Sequence, residues 1–451
     1  MKILSADWLL PISSEPFSDG AIAIDGTKII AVGTKDELTE KFPDAAQENF
    51  GEAVIMPGFV NCHSHLEITA MRGFLDDVEE DFYSWLMKLT VTRAEKLSDE
   101  DIETAAIFGA LEGARAGVTC FGDIGRFGKA GLRALKANSL RGVLFQETEF
   151  SPKDEDAEND FAKLTDKFAE LKETETELVK VGISPHAPYT VSQKLFEKIT
   201  DYAVSKNIKI TVHVAESNQE RDFFQTGEGF FAGVYEKLNL KWIAPKISPV
   251  EYLANIGVLR AKPLLAHCVK VSDEDIRLIA ETDSRIAHCP KSNAKFGHGF
   301  APLEKFLAEK IRVGFGSDSV ASNNTCDILE EARFATLFAR NSEKRKQFLN
   351  AKEIVETATL GGACALGLER EIGTLEAGKQ ADLIVISLDD IAQMPVYDVY
   401  SALLFASNAR DVKMTMVAGK EIYRDGQAKL IDEAEIKSKM KEIGGKMRSE
   451  K

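Results

Sequence analysis

The feature that most restricts the fold of this sequence is the alternation of strand-like and helix-like segments along its middle. Eight apolar segments of strand length occur there, and most are followed by a stretch with helical content: FVNCHSHLE, GVTCFGDI, RGVLFQETEF, KVGISPHAP, IKITVHVAE, PLLAHCV, SRIAHCP and RVGFGSD. Such alternation predicts an α/β fold with a parallel sheet, because parallel strands need crossover connections. Eight strands can close a (β/α)8 TIM barrel, but periodicity alone leaves an open, doubly wound sheet as an alternative.

The two ends of the chain carry a different pattern. KILSADWLLP, AIAIDGTKIIAVG and AVIMPG near the start, and IGTLEAGKQADLIVISL and VKMTMVAGKEIYRDG near the end, are strand-length stretches separated by turn signals. We expect residues 1–57 and 367–430 to form one small sheet domain, residues 58–366 the barrel, and residues 431–451 a C-terminal helix or tail. Two unrelated terminal hairpins are the alternative.

The charge and composition of the chain indicate which classes of binding partner to expect. The formal net charge is −16 at pH 7, whereas a nucleic-acid-binding surface normally needs a basic patch, so we expect no nucleic-acid partner. We expect no membrane partner either, since no apolar run reaches the roughly 18 residues of a spanning helix. The six cysteines form no CxxC pair, the N-terminus lacks a signal-peptide pattern, and no glycine-rich phosphate loop occurs. These features predict a cytoplasmic protein with reduced thiols and a small-molecule substrate.

The seven histidines are concentrated at the carboxyl ends of the predicted strands. Six lie at or near such ends: His63, His65, His186, His213, His267 and His288. The seventh, His298, lies in a loop between glycines. In a (β/α)8 barrel these strand ends and their loops form the active face, so the clustering indicates an active site there.

Two motifs among these histidines suggest a metal. His63 and His65 are two apart on a strand and face the same side, so both rings could reach one cation; a pair bonded to backbone is the alternative. His213 and Glu216 form H-x-x-E, which supplies a ligand and a nearby carboxylate for metal-assisted hydrolysis. A surface carboxylate is the alternative for Glu216.

The other candidates are single residues. His267 could bind a metal or deprotonate a water, and a core histidine is its alternative. Asp318 follows an apolar strand and could complete a ligand set for Zn²⁺ or Fe²⁺ or accept a proton; an Asx-turn or a helix cap is its alternative. His186 could contact substrate or make a structural hydrogen bond, and His288 is expected to be structural.

Taken in order, six segments resemble the amidohydrolase superfamily: MPGFVNCHSHLE, SPHAPYTVS, HVAES, LLAHC, HCPKSNAKFGHG and GFGSDSVASNN. They are most similar to its branch of adenosine-type, S-adenosylhomocysteine and triazine deaminases and chlorohydrolases, and GTLEAGKQADLIVISL and MVAGKEIY match that branch as well. The resemblance covers nearly the whole chain. It implies a distorted (β/α)8 barrel with a composite β-sandwich built from both termini.

The resemblance also implies a role for each candidate residue. One divalent metal ion, with zinc expected and iron as the alternative, would be held by four residues: His63, His65, His213 and Asp318. Glu216 looks like the carboxylate that protonates the ring nitrogen, His267 like the histidine that orients the water, and His186 like a substrate contact.

The implied reaction is the hydrolytic removal of an amino group from a nitrogen heterocycle. The metal would lower the pKa of its water toward about 7, and Asp318 and His267 would take or steer the water proton. Glu216 would protonate the ring nitrogen beside the attacked carbon, and ammonia would leave with a proton delivered through Asp318. Binuclear relatives use a carboxylated lysine near the end of the fourth strand, whereas Lys180 stands at the start of that strand here, which favours one metal.

The sequence is less specific about the substrate. HSHLE, AESNQERDFFQTGEGFF and SPVEYLANIGVL look like aminodeoxyfutalosine deaminases, so a 6-aminopurine nucleoside such as aminodeoxyfutalosine or an adenosine derivative is expected. Glu67 could bond a ribose or a base edge, or support a metal-binding histidine. Trp85 lies where related deaminases form part of the substrate pocket.

Residues 220–252 are expected to cover the site after the fifth strand. The aromatic residues Phe223, Phe224, Phe230 and Phe231 could wall an apolar pocket for a flat base, with ordinary loop packing as the alternative.

Other functions of the same site stay open. They are a chlorohydrolase, a guanine-type or pterin deaminase, a cyclic amidase, and a non-enzymatic barrel with a decayed site. A homodimer is the expected assembly.

Overall fold

The computed structural model describes residues 1–342 and 347–448. Its strands, in chain order, are β1 (Lys2–Leu9), β2 (Phe17–Asp25), β3 (Lys28–Thr34), β4 (Ala46–Asn49), β5 (Ala53–Pro57), β6 (Phe59–Ser64), β7 (Val118–Gly125), β8 (Arg141–Glu147), β9 (Val179–Ser184), β10 (Thr211–Val214), β11 (Leu264–His267), β12 (Arg285–His288), β13 (Val313–Phe315), β14 (Leu383–Ser387), β15 (Val412–Val417), β16 (Lys420–Arg424) and β17 (Gln427–Ala428).

The helices alternate with the middle strands. They are α1 (Lys35–Lys41), α2 (Phe82–Lys96), α3 (Asp99–Arg115), α4 (Lys129–Ala137), α5 (Ala157–Lys172), α6 (Gln193–Lys206), α7 (Asn218–Gln225), α8 (Phe230–Lys237), α9 (Pro249–Asn255), α10 (Asp273–Glu281), α11 (Pro290–Lys295), α12 (Leu303–Ala308), α13 (Val320–Asn323), α14 (Ile328–Asn341), α15 (Ala351–Glu356), α16 (Gly362–Leu366), α17 (Val399–Ser401) and α18 (Glu433–Arg448). Short 3₁₀ and π turns join some of them.

Strands β6 to β13 form a closed barrel. They make two four-stranded parallel sheets, β6-β7-β8-β9 and β10-β11-β12-β13. Single parallel bridges join the sheets at both seams, Ser64 to Asp318 and Ile183 to Ile210. The eight strands coincide with the eight predicted segments, and the seams exclude the open sheet.

The two chain ends meet in one sheet of nine strands. Its order is β17-β16-β15-β14-β5-β1-β2-β3, with β4 paired to β1. The joint is the antiparallel pair of β5 and β14, both fully buried, which brings Val54 opposite Ile386. The predicted fold class, a barrel with a β domain composed from both termini, is therefore confirmed, and the alternative of unrelated hairpins is excluded. The exact domain boundaries stay a prediction.

Local sequence explains where the barrel helices begin. Ser192 and Ser272 are N-caps that accept backbone hydrogen bonds from Leu195 and Asp275 at the starts of α6 and α10. The barrel interior is filled by small and branched side chains, among them Val60, Cys62 and Val143. These residues close the barrel beneath the carboxyl ends of its strands, so a binding site can form only at that face.

Among the described residues, none of the helices combines the length and the apolar character needed to cross a lipid bilayer. All six cysteines are unpaired thiols, and five of them are buried.

Candidate metal centre and active site

Four of the predicted residues converge at the carboxyl ends of the barrel strands. The Nε2 atoms of His65 and His213 lie 3.2 Å apart, and Oδ1 of Asp318 lies 3.6 Å from Nε2 of His63 and 3.6 Å from Nε2 of His65. The ligand atoms of His63, His65 and Asp318 all lie within 4.8 Å of one another. Residues more than 250 positions apart in the chain thus surround one small space.

The ring nitrogens of these histidines are in a state that allows them to bind a cation. His63 is fully buried, and neither of its ring nitrogens has a hydrogen-bond partner among the described residues. Nδ1 of His213 lies 2.9 Å from the carbonyl oxygen of His186, which can only accept, so Nδ1 carries the proton and Nε2 keeps its lone pair. Burial lowers the pKa of His63, brings that of His65 to about 3, and holds that of His213 well below its usual range. Neutral imidazoles are the form that binds metal ions.

The Asp318 carboxylate is held by hydrogen bonds from three serine residues. The hydroxyls of Ser292 and Ser322 donate to its Oδ2 at 2.6 and 3.1 Å, and the backbone N–H of Ser319 donates to its Oδ1 at 2.7 Å. Burial alone would raise the pKa of Asp318, but the adjacent His63 and the other imidazoles hold it well below the ordinary value. The group is therefore an anion facing the imidazoles.

Two residues of the site have an unusual backbone conformation. His267 has φ 74° and Asp318 has φ 55°, both in the left-handed region. A non-glycine residue there costs about 1–3 kcal/mol and persists where the surroundings enforce it. The conformation turns the chain at the ends of β11 and β13 and directs both side chains into the site.

A second group of polar residues lies beside the candidate metal ligands. Oε1 of Glu216 lies 3.8 Å from Nε2 of His267 and 3.7 Å from Nε2 of His298. Nδ1 of His267 lies 3.0 Å from Oδ1 of Asn293, an amide oxygen that accepts, so Nε2 of His267 keeps its lone pair. The ring nitrogens of His267 also lie within 4.8 Å of those of His63 and His213. Burial raises the pKa of Glu216, so this carboxyl retains a proton more readily than an exposed one.

These groups open onto a cavity of about 510 Å³ with mostly apolar walls. Trp85, Phe82 and Phe296 form one wall, where Trp85 and Phe296 meet edge to face with centroids 5.0 Å apart. Phe230 and Phe231 of α8 lie on another side. A cavity of this size with convergent polar groups at one end is the form of a small-molecule site.

The aromatic residues of the segment 220–252 form two pairs with different contacts. Phe230 and Phe231 line the cavity, as one of the two expectations had it. Phe223 and Phe224 are fully buried, and Phe223 stacks on Trp242 with centroids 4.3 Å apart. The latter pair packs the segment onto the barrel, which is the alternative expectation.

Glu67 has partners different from those expected for it. Its carboxylate accepts backbone N–H bonds from Arg126, Phe127 and Gly128 at 3.0, 3.2 and 2.7 Å. These contacts match neither of the two expected roles, which were to bond a ribose or a base edge and to support a metal-binding histidine. Glu67 lies at the cavity wall and anchors the loop after β7.

His186 lies beside the ligand cluster, and Lys180 lies away from it. The His186 ring lines the cavity and its Nδ1 lies 2.8 Å from the Thr190 hydroxyl. Possible metal-ligand atoms of Glu147, His186 and His213 also lie close together. This group uses His213 again, and Nδ1 of that ring is already hydrogen-bonded to a carbonyl oxygen. Lys180 is the second residue of β9 and is exposed.

His288 lies at the end of β12, buried against Phe315 with ring centroids 6.2 Å apart. Its ring belongs to none of the three groups of ligand atoms found among the described residues. This placement agrees with the structural role expected for it.

Sequence reasoning missed three polar residues, two that line the cavity and one that lies beside Glu216. His298 was noted only as a loop residue, although it approaches Glu216. Glu147 ends β8 and lines the cavity, so a carboxylate at a strand end was an available signal. Arg93 lies within α2 and reaches the cavity from outside the barrel, where no local pattern marks it.

Comparison with known proteins gives a consistent result. Residues 54–422 match the model of the amidohydrolase family, and residues 20–45 match a bacterial imidazolonepropionase-like composite domain. A 5-methylthioadenosine/S-adenosylhomocysteine deaminase of Thermodesulfovibrio yellowstonii is 30% identical over 96% of this chain and 96% of its own. A 5'-deoxyadenosine deaminase of Methanobrevibacter smithii is 31% identical over 93% of this chain and 92% of its own.

Solved structures agree over almost the entire length. An adenosine deaminase from Xanthomonas campestris with bound zinc superimposes with a TM-score of 0.87 at 26% identity, covering 99% of this chain and 98% of its own. An aminofutalosine deaminase from Helicobacter pylori superimposes with a TM-score of 0.78 at 23% identity, covering 94% of this chain and 100% of its own. The second likeness is evidence for the fold alone.

Proposed function

This chain belongs to the amidohydrolase family, and we propose that it is a zinc-dependent deaminase acting on a 6-aminopurine nucleoside altered at its 5′ carbon. The observation that carries the proposal is the convergence of His63, His65, His213 and Asp318 beside Glu216, at the polar end of an apolar cavity. A metal ligand set, a proton donor and a pocket for a flat base are the parts that hydrolytic deamination needs.

The substrate class rests on the relatives and the cavity together. Two relatives about 30% identical over nearly their whole length are named for 5-methylthioadenosine, S-adenosylhomocysteine or 5′-deoxyadenosine. All of these are 6-aminopurine nucleosides without a free 5′ hydroxyl. Aminodeoxyfutalosine shares that chemistry, and the segments around Glu67 and residues 220–252 keep it among the candidates.

The residues present fit a single zinc ion. Three imidazole nitrogens and one carboxylate oxygen are a common donor set for it. The ring nitrogens of His63, buried without a partner among the described residues, are the kind of atoms that a cation would satisfy. When bound, such an ion lowers the pKa of a water molecule enough for that water to act as a nucleophile near neutral pH.

The side chains then carry the protons. Asp318 accepts one proton of the attacking water, which Nε2 of His267 orients, and the water oxygen bonds to the ring carbon bearing the amine. Glu216 donates its proton to the neighbouring ring nitrogen, so negative charge does not accumulate on the purine. Asp318 passes that proton to the exocyclic nitrogen, the bond from the ring carbon to this nitrogen breaks, and ammonia leaves. The hydroxyl on the ring carbon gives its proton to Glu216 as the carbonyl forms, which restores both side chains. Trp85 and Phe231 exclude water from the faces of the base.

We place the protein in the cytoplasm as a homodimer. The six unpaired thiols support a reducing compartment. Zinc is the proposed metal rather than iron because a zinc-bound structure is among the relatives at 26% identity.

The test is release of ammonia from a panel of nucleosides by the zinc-loaded protein. The panel contains 5′-methylthioadenosine, S-adenosylhomocysteine, 5′-deoxyadenosine and aminodeoxyfutalosine, with adenosine to measure the effect of the 5′ hydroxyl. We expect at least one 5′-altered nucleoside to be converted with a kcat/KM above that of adenosine. Turnover of a triazine, a pterin or a cyclic imide, with no nucleoside converted, would overturn the proposal in favour of another hydrolase of the same family.

A further inference from the structure

Glu220 is a fully buried carboxylate that the proposed mechanism does not use. It lies in the first turn of α7, the helix that follows the strand ending near His213. Its Oε1 accepts from the backbone N–H of Ala215 at 3.0 Å, and its Oε2 accepts from the backbone N–H of Glu216 at 2.9 Å. Burying a carboxylate costs free energy unless hydrogen bonds compensate it, and here each oxygen has such a bond.

The helix α7 does not need Glu220 as its cap. The Ser217 hydroxyl is already the N-cap and accepts from the backbone N–H of Glu220 at 3.2 Å. The Glu220 carboxylate reaches past this cap to two N–H groups that precede the helix. Both belong to the turn between β10 and α7, which carries Glu216. The contacts of Glu220 therefore hold this turn of the active site rather than the helix.

The turn has a backbone form that suits an anion. Ala215 has φ 53°, in the left-handed region, which costs a non-glycine residue about 1–3 kcal/mol. Successive backbone N–H groups around such a residue can form a concavity that binds an anion, and the Glu220 carboxylate fills it. The Ala215 carbonyl accepts from the backbone N–H of Lys270 at 2.7 Å, so both polar backbone groups of Ala215 are held.

The Glu216 carboxyl has no comparable support of its own. Within residues 1–342 and 347–448 no group makes a hydrogen bond to it, since Nε2 of His267 and Nε2 of His298 lie 3.8 and 3.7 Å from its Oε1. Its direction therefore depends on the backbone to which it is attached. That backbone is the part of the chain that Glu220 binds.

We propose that Glu220 is a positioning residue that, through the backbone N–H groups of Ala215 and Glu216, fixes the direction from which Glu216 delivers its proton to the ring nitrogen. The inference rests on the proposed function, which makes Glu216 the proton donor. Glu220 does not line the cavity, so it acts through Glu216 and not on the substrate. A misplaced donor weakens the transition state but leaves the binding of the base by the cavity walls unchanged.

The experiment is Glu220→Gln, which keeps the shape of the side chain but can accept from only one of the two N–H groups. On the panel nucleoside that wild type converts fastest, kcat should fall about 10- to 100-fold. KM should change by less than about threefold, because only the transition state is affected. Zinc content should equal that of wild type. An unchanged kcat, or a loss of zinc together with turnover, would overturn the inference.

A double-mutant cycle separates positioning from general support of the fold. In a Glu216→Gln background, Glu220→Gln should cost less than about a further threefold in kcat, because the group that it positions is already gone. An equal cost with and without Glu216 would disprove the positioning role. Glu220→Asp keeps the charge but is one methylene too short to reach both N–H groups, and it replaces Glu220→Gln in the cycle if that variant does not fold.

Asp275→Asn is the matched control. Asp275 is also buried, and its carboxylate accepts from the backbone N–H of Ser272 at 2.8 Å at the start of α10, the helix after the next barrel strand. It should lower stability through the weakened cap but change kcat by less than about threefold. A loss of kcat equal to that of Glu220→Gln would contradict a specific role for Glu220. If wild type converts no panel member, the proposed function itself has failed; if it does and Glu220→Gln is as active, only the positioning role has failed.

Discussion

At the scale of single residues, hydrogen bonds prepare the side chains of the site for their chemistry. Nδ1 of His213 donates to the His186 carbonyl, and Nδ1 of His267 donates to Asn293, so each ring presents Nε2 without a proton. A metal-binding imidazole normally has its other nitrogen bound in this way. These contacts distinguish His213 as a proposed ligand from a histidine that merely fills space.

The first prediction separates metal binding from proton donation. His213→Ala should lose bound zinc and turnover together, because a ligand is removed. Glu216→Gln should keep the zinc but lower kcat by about 100-fold or more, because the proton donor is removed. Zinc content by elemental analysis and ammonia release report the two effects.

The control for the first variant is His288→Asn, since His288 is buried nearby but lies outside the groups of ligand atoms. This variant should retain its zinc. A fully active Glu216→Gln enzyme would contradict the assignment of Glu216 as the proton donor.

At the scale of elements, a capping residue ties the C-terminal helix to the barrel. Asp101 closes a capping box with Ser98 at the start of α3 and also accepts from Nζ of Lys446 in α18 at 2.8 Å. Burial acts to raise the pKa of Asp101, but the hydrogen bonds from Lys446 and Ser98 lower it overall from 3.8. The carboxylate is therefore better stabilised in the folded chain than in the unfolded one.

The second prediction concerns the pH dependence of stability. A depressed folded pKa contributes stability above the unfolded pKa, and that contribution disappears as the pH falls through the folded value. Asp101→Asn should therefore melt a few degrees below wild type at about pH 7, and the difference should narrow as the pH falls below 3.8. Thermal melts across this range measure it. Asp99→Asn changes an exposed carboxylate in the same helical turn, and a similar effect there would argue against a specific role for Asp101.

At the scale of the whole molecule, a buried ion pair joins the terminal sheet to the barrel. Nε of Arg141 at the start of β8 donates to Oδ2 of Asp382 at 2.7 Å, and the backbone N–H of Ala418 donates to Oδ1 at 2.8 Å. The side chains of Arg141 and Asp382 are 3% and 1% exposed, so the Asp382 charge would be buried without its cation if Arg141 were lost. The composite sheet thus depends on the barrel for the partner of its own carboxylate.

The third prediction follows from that burial. Arg141→Met should lower the free energy of unfolding by about 3–5 kcal/mol, because it leaves the Asp382 charge uncompensated. Adding Asp382→Asn should recover part of the loss, since the orphaned charge is then gone. Denaturant titration measures both variants. Arg133→Met breaks an exposed pair with Glu103 and should cost less than about 1 kcal/mol; an equal loss there would contradict the argument from burial.

The sequence by itself determined the elements, the fold class, the family and the deaminase class. Strand and helix periodicities are local, so eight strands and two β-rich ends could be predicted from neighbouring residues. The structure and the relatives confirm these predictions. The histidines were found because a barrel brings every carboxyl strand end to one face, so His63 and His213 could be predicted to meet without knowledge of any distance.

Only the tertiary structure decided which partners the polar groups of the site have. Glu67 binds the backbone of residues 126–128, His298 approaches Glu216, and Glu147 and Arg93 line the same cavity. These facts depend on distances of a few ångströms between elements that are remote in the chain. Spacing along the sequence carries no information about such distances, because hydrogen bonding is decided by which groups the packed loops bring within about 3 Å of one another.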